Sequence, residues 1–130
     1  MSSENIRFIM NEVVKLFCKE LYVEVGTYKG CSLISAALYN KSIKAIGIDN
    51  FSQFDGCSNI VHDNLKVMGC ENASLINGDY VDIIPANFSE KSIDVFFYDG
   101  EHSYNNQLNG LNIIKPYLKD NCVVFVDDAS

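Results

Sequence analysis

Hydrophobic positions in this chain follow two rhythms in turn. Ile6, Ile9, Met10, Val13, Val14 and Phe17 recur at helical spacing after a Ser3 cap, which predicts a helix over residues 4–18. Residues 21–25, LYVEV, read as a strand. Helical spacing returns over 30–40, with Leu33, Ile34, Ala37 and Leu38 inward, and residues 43–48 form a second strand ending at Asp49. A polar and aromatic loop over 50–58 leads to a helix over 59–69, stopped at Gly69. A short strand over 73–76 closes in the turn Asn77-Gly78-Asp79, and a short helix or loop runs to Pro85. Residues 93–98, IDVFFY, are a strand ending at Asp99. A helix over 103–118 turns Leu108, Leu111, Ile114 and Leu118 to one face, with Pro116 marking its last turn. Residues 122–126, CVVFV, are the last strand, ending at Asp127-Asp128.

Strands thus alternate with helices, and the strands are unbroken apolar runs. Such runs belong to a parallel sheet covered on both faces. The expected fold is α/β: a doubly wound, mostly parallel sheet with helices on both sides. The 130 residues amount to one domain, 1–130. The sequence stops just after a strand, whereas a complete doubly wound enzyme carries more sheet. That suggests a fragment of a longer chain or an unusually small protein. A sheet edge left unpaired there favours self-association into a homo-oligomer.

Composition narrows the partners. Hydrophobic residues make up 48% and charged residues 21%, a globular balance. The net charge of −7 gains little from counterion release, so no nucleic-acid partner is expected. Cys18, Cys31, Cys57, Cys70 and Cys122 form no C-x-x-C pair, which sets aside zinc-ribbon and thioredoxin-like chemistry and leaves buried free thiols. No signal peptide and no membrane-length apolar run appear, so a cytoplasmic location away from membranes is expected.

The chemistry gathers at strand ends. Asp49, Asp79, Asp99 and the pair Asp127-Asp128 each follow a strand, and Glu24 lies near the end of the first. In an open α/β sheet the ligand crevice lies outside the carboxyl ends of the strands, so acids scattered in sequence converge on one rim. A lone acid there can equally be a helix cap. In V-E-V-G-T-Y-K-G, Gly26 permits a sharp exit from the strand and Gly30 permits close packing where the next helix starts. Thr27 and Tyr28 stand where a dinucleotide fingerprint needs a second close glycine, and no Gly-Lys-Ser/Thr follows.

The spacing E-x-G-x-x-x-G resembles motif I of the class I S-adenosylmethionine-dependent methyltransferases. Asp49, 23 residues beyond Gly26, stands where an acid accepts ribose hydroxyls. F-Y-D-G-E-H-S-Y at 97–104, taken with V-V-F-V-D-D at 123–128, resembles the macrocin-type O-methyltransferases and related small methyltransferase domains. The resemblance runs from about residue 21 to residue 128, without the last strands of the full methyltransferase sheet. It implies S-adenosylmethionine as cofactor, bound by Glu24, Gly26, Thr27, Gly30, Asp49, Asp79 and Asp99, with Tyr28, Phe51 and Phe54 placed to flank it. It also implies magnesium on Asp99, Asp127 and Asp128, with His102 as general base and a small-molecule hydroxyl as acceptor. Magnesium suits hard carboxylate oxygens, a metal-bound hydroxyl loses its proton more easily, and histidine is the side chain suited to take it. His62, among polar neighbours, reads as surface. Two other readings compete: a nucleotide-binding oxidoreductase-like domain, and a non-catalytic or truncated methyltransferase-like domain that only binds cofactor or a partner.

Overall fold

The computed structural model describes residues 3–52 and 57–128. Strands β1 (Leu21–Val25), β2 (Lys44–Asp49), β3 (Ala73–Asn77), β4 (Ile93–Tyr98) and β5 (Leu118–Val126) form one sheet. Its order is β3-β2-β1-β4-β5, and every pairing is parallel. Helices α1 (Glu4–Phe17), α2 (Cys31–Ala37), α3 (Cys57–Val67), α4 (Tyr80–Asn87) and α5 (Tyr104–Ile114) flank it. The expected α/β class is met.

Side chains alternate across a strand, so each strand feeds two cores. Tyr22, Ala45, Val95 and Phe97 turn to one face, where they meet Met10 and Val14 of α1, Leu33 of α2 and Val61 of α3. Val23, Val25, Ile46, Ile48, Phe96 and Tyr98 turn to the other, against Ile84 of α4 and Ile114 of α5. All six residues of β4 are buried. Each such apolar side chain contributes about 1.5–3 kcal/mol by leaving water. Two covered faces explain why the strands read as continuous apolar runs.

Local chemistry fixes the helix starts. The Ser3 hydroxyl accepts from the Ile6 amide, as its capping role predicts. Asp79 caps α4 by accepting from Val81 N at 3.0 Å. At the far end of the sheet, the Asp94 carboxylate accepts from the amides of Glu20 and Leu21 and pairs with Lys119 at 3.0 Å.

Three expectations need correction. In α1 the inward stripe is Met10 and Val14, while Ile9 and Phe17 are 51% and 57% exposed, because the apolar stripe is wider than the surface the helix covers. The last long helix ends at Ile114 and tightens into a 3-10 turn over Lys115–Tyr117. Pro116 supplies no amide to continue the α ladder, so Leu118 opens β5, four residues before the expected start. Leu108 is exposed, and Gln107 and Gly110 face inward in its place, while Ile114 is buried as expected.

Candidate active site

A cavity of about 570 Å³ opens over the carboxyl ends of β1 to β4. Its lining includes Gly26, Thr27, Asp49, Asp79, Asp99 and His102 of the expected site, together with Tyr28 and Phe51. Glu24, Gly30, Asp127 and Asp128 lie outside that lining, and Phe54 falls outside the described residues.

Gly26 lies against the turn that follows β4. Its φ of 91° is in the left-handed region, and a Cβ built there would collide with the backbone carbonyl of Asp99. The same residue donates its amide to Ile48 O at 2.9 Å, while Asp99 donates to Val25 O at 2.8 Å. Three strand tips are thereby tied at one point. Gly30 has a similar φ, 89°, but there a Cβ would come no closer than 3.4 Å to Val61.

Asp49 braces the two loops that rim the cavity. One carboxylate oxygen accepts from Tyr28 N and the other from Phe51 N, both at 2.7 Å. Tyr28 and Phe51 have φ values of 52° and 55°, conformations that non-glycine residues seldom adopt. An ionised carboxylate has about four lone-pair sites. Among the described residues, two amides occupy one on each oxygen, which leaves each oxygen one for a further donor.

Glu24 is placed beneath the glycine loop and is fully buried. Its carboxyl accepts from the hydroxyls of Tyr22 and Ser32, each at 2.9 Å. The Thr27 hydroxyl lies near enough to lower the Glu24 pKa, yet it is buried without a partner of ordinary hydrogen-bond geometry. Burial is the larger influence and pushes Glu24 up to about 7. The acid inside the first strand therefore supports the loop from below.

Asp99, His102 and Asp127 bring one ligand atom each within 4.8 Å of one another. His102 Nε2 is 3.4 Å from Asp99, and Nδ1 is 3.1 Å from Asp128. Burial, then the hydrogen-bonded and like-charged Asp127, raises the Asp99 pKa to about 6. Asp99 and Asp127 are thus joined as the sequence suggests. Asp128 differs: it lies across the imidazole, outside the three-residue group, with φ 50° and an exposed side chain. His102 in turn stands among the donors.

Other contributors were not singled out in the sequence. Gly47, in mid-strand, makes room for Thr27, since a Cβ there would strike the Thr27 hydroxyl. The signal was a glycine inside an apolar strand. Gly110 packs on the Tyr98 ring, where a Cβ would come within 2.6 Å of Cε2. Arg7 reaches the cavity from α1, on the same helical stripe as Met10 and Val14. Of the cysteines, Cys18, Cys57 and Cys70 are buried as expected, whereas Cys31 and Cys122 are exposed and Cys31 lines the cavity. His62 is exposed, as read.

A five-stranded parallel sheet with a crevice at its carboxyl rim and a glycine turn after the central strand is a Rossmann-like arrangement, and solved methyltransferases share it. The methyltransferase-domain family matches residues 23–129, and the chain belongs to that family. An uncharacterised protein of Acanthamoeba polyphaga mimivirus is 28% identical over 127 residues, covering 92% of this chain and 57% of that protein. A putative caffeoyl-CoA O-methyltransferase from Staphylococcus aureus superposes with a TM-score of 0.81 at 16% identity, over 98% of this chain and 58% of that one. An O-methyltransferase from Streptomyces achromogenes involved in tomaymycin synthesis, solved in complex with SAM, gives 0.82 at 17% identity, over 97% and 56%. The chain spans little more than half the length of these proteins. Among the described residues, no helix is long and apolar enough to cross a membrane.

Proposed function

We propose that this chain binds S-adenosylmethionine and serves O-methylation of a small-molecule hydroxyl, assisted by a divalent ion. The observation that carries the cofactor reading is the Asp49 carboxylate, held by two loop amides with, among the described residues, one acceptor site left on each oxygen. Two acceptors fixed side by side suit the vicinal hydroxyls of a ribose. The adjacent strand-tip turn is glycine at Gly26, so a ligand can approach its backbone. The cavity size suits a nucleoside-sized ligand. The structural neighbour solved with SAM supports the same cofactor. When bound, the cofactor supplies an electrophilic methyl group on a sulfonium.

Asp99 and Asp127 fit a hard divalent cation, which would relieve the repulsion between two adjacent carboxylates. His102 is held through Nδ1 by Asp128, leaving Nε2 toward the cluster. A base held by a third group is the arrangement that removes a proton from a hydroxyl nucleophile.

Calorimetric titration with S-adenosylhomocysteine and with NAD tests the reading. Saturable binding of the first and none of the second is expected. Binding of NAD alone would replace this reading with the oxidoreductase-like one.

A further inference from the structure

The buried positions of α5 are Gln107, Gly110 and Ile114. Two of the three offer no apolar side chain to the core, while Leu108 on the same helix is 42% exposed. Rotating α5 by one residue would bury Leu108 and release the Gln107 amide to water. A buried amide is tolerated where its hydrogen bonds are made, and here they are. Gln107 Nε2 donates to Asp127 O at 3.0 Å and reaches Asp128 O at 3.5 Å. A carboxamide nitrogen has two protons, so one group can serve both carbonyls. The amide of Asp127 donates in turn to Tyr98 O at 3.0 Å, so the backbone of Asp127 is held through both its polar groups.

These bonds fall on the turn that divides Asp127 from Asp128. Asp128 is left-handed there, with φ 50°, a conformation that a residue with a side chain keeps only where its surroundings fix it. Gln107 fixes it from the helix that follows His102: Ser103 caps α5, and Gln107 donates its own amide to Ser103 O at 3.0 Å. The helix that holds the acid turn is therefore the one that begins beside His102, whose Nδ1 lies 3.1 Å from Asp128. The turn after β4 is held in a similar way, because the Tyr98 hydroxyl donates to Glu101 O at 3.2 Å. We propose that Gln107 is a positioning residue of the acidic cluster: it holds the 127–128 turn so that Asp127 converges on Asp99 while Asp128 orients His102. Its part in the reaction rests on the metal-assisted reading given above; its grip on the turn does not.

Two variants test this. Gln107→Leu places a good helix former at a core-facing position and removes both donors; Gln107→Glu keeps the shape and, ionised, cannot donate either. The chain has two histidines, and His62 is exposed, so its ring serves as an internal control. In the metal-free protein at a fixed pH, the NMR ring resonances of His102 should stand apart from those of His62. Either variant should move the His102 resonances toward the His62 values and leave His62 unmoved. Manganese binding, followed by the electron paramagnetic resonance of the free ion, should weaken by about 10–100-fold, the usual cost of losing a group that orients a metal's ligands. Affinity for S-adenosylhomocysteine should stay within about twofold, because interactions that do not share partners change independently. Unmoved His102 resonances or unchanged manganese affinity in a folded variant overturns the proposal, and so does an equal loss of both ligands. Absence of saturable manganese binding in the wild type would remove the metal reading, and the His102 resonances would still decide whether Gln107 holds the turn. If neither variant folds, the wild type decides: the side-chain amide protons of Gln107 should exchange about tenfold more slowly than those of exposed Asn105, and equal rates overturn the proposal.

Discussion

Gly26 and Asp99 are pressed together, the α-carbon of one against the backbone carbonyl of the other, with no room for a side chain between them. One begins the loop after β1 and the other the loop after β4, so the glycine turn and the acidic cluster are a single packed unit. Gly26→Ala forces both a left-handed alanine and a collision with backbone. Gly30→Ala forces only the first, with ordinary contact to Val61. The left-handed conformation alone costs roughly 1–2 kcal/mol. We expect Gly30→Ala to fold with a loss of that order, and Gly26→Ala to lose cofactor binding together with considerably more stability. Parallel urea melts and ligand titrations check this, and equal effects at the two positions would contradict the packing described.

Asp49→Ala removes two loop braces and the acceptor pair offered to a ribose. The expected loss in S-adenosylhomocysteine affinity is about 2 kcal/mol, or roughly 30-fold. The amides of Tyr28 and Phe51 should also exchange faster with solvent, since both are held by this carboxylate. Unchanged affinity in a folded variant would remove Asp49 from the ligand site.

Glu24 links stability to pH. Burial raises its pKa from the ordinary 4.5 to about 7, so the folded chain keeps a proton that the unfolded chain releases. Stability therefore falls as pH rises from about 4.5 to 7 and is flat above that range. The groups facing it are the hydroxyls of Tyr22, Ser32 and Thr27, with the charge of Asp99 also felt. Glu24→Gln keeps an acceptor for one of those hydroxyls and cannot ionise. At about 1.4 kcal/mol per pKa unit, the variant should recover on the order of 2–3 kcal/mol at pH 8 relative to its disadvantage at pH 5. A smaller slope of the same sign remains from Asp99, raised to about 6 by burial and by Asp127. Denaturant melts at the two pH values measure the difference, and an identical slope in both proteins would rule Glu24 out as its source.

A metal on the acidic cluster predicts saturable stabilisation by magnesium or manganese at matched ionic strength. Asp99→Asn and Asp127→Asn should abolish it, because each removes a charge from the converging pair. Asp128→Asn should leave most of it, since that carboxylate faces the other side of His102. If sodium chloride at equal ionic strength raises the melting temperature as much, the acids are merely solvated.

The architecture was legible because burial on two faces writes itself into the sequence as unbroken apolar strands. LYVEV and IDVFFY were bounded to the residue, and Asp49, Asp79 and Asp99 arrived at the rim because strand ends of a parallel sheet have nowhere else to go. What escaped depended on direction, which spacing does not encode. Glu24 alternates away from the rim into the core beneath α2, and nothing in V-E-V-G distinguishes the two faces. Asp127 and Asp128 are neighbours in sequence, yet a left-handed backbone at Asp128 sends one to Asp99 and the other across His102. The Asp49 brace required two left-handed aromatic residues, Tyr28 and Phe51, a conformation no propensity suggests.

The central position of β1 has a kinetic consequence. One of its edges pairs with β2 nearby in sequence, but the other waits for β4, with Tyr22 opposite Val95. Closing that pairing brings together segments 73 residues apart in the chain, and such distant pairings slow folding. During synthesis the β1–β2–β3 portion can assemble first, with the outer flank of β1 bare until Tyr98 has left the ribosome. The step that covers this flank also docks Asp99 on Gly26, so ligand competence should arrive late and all at once during refolding.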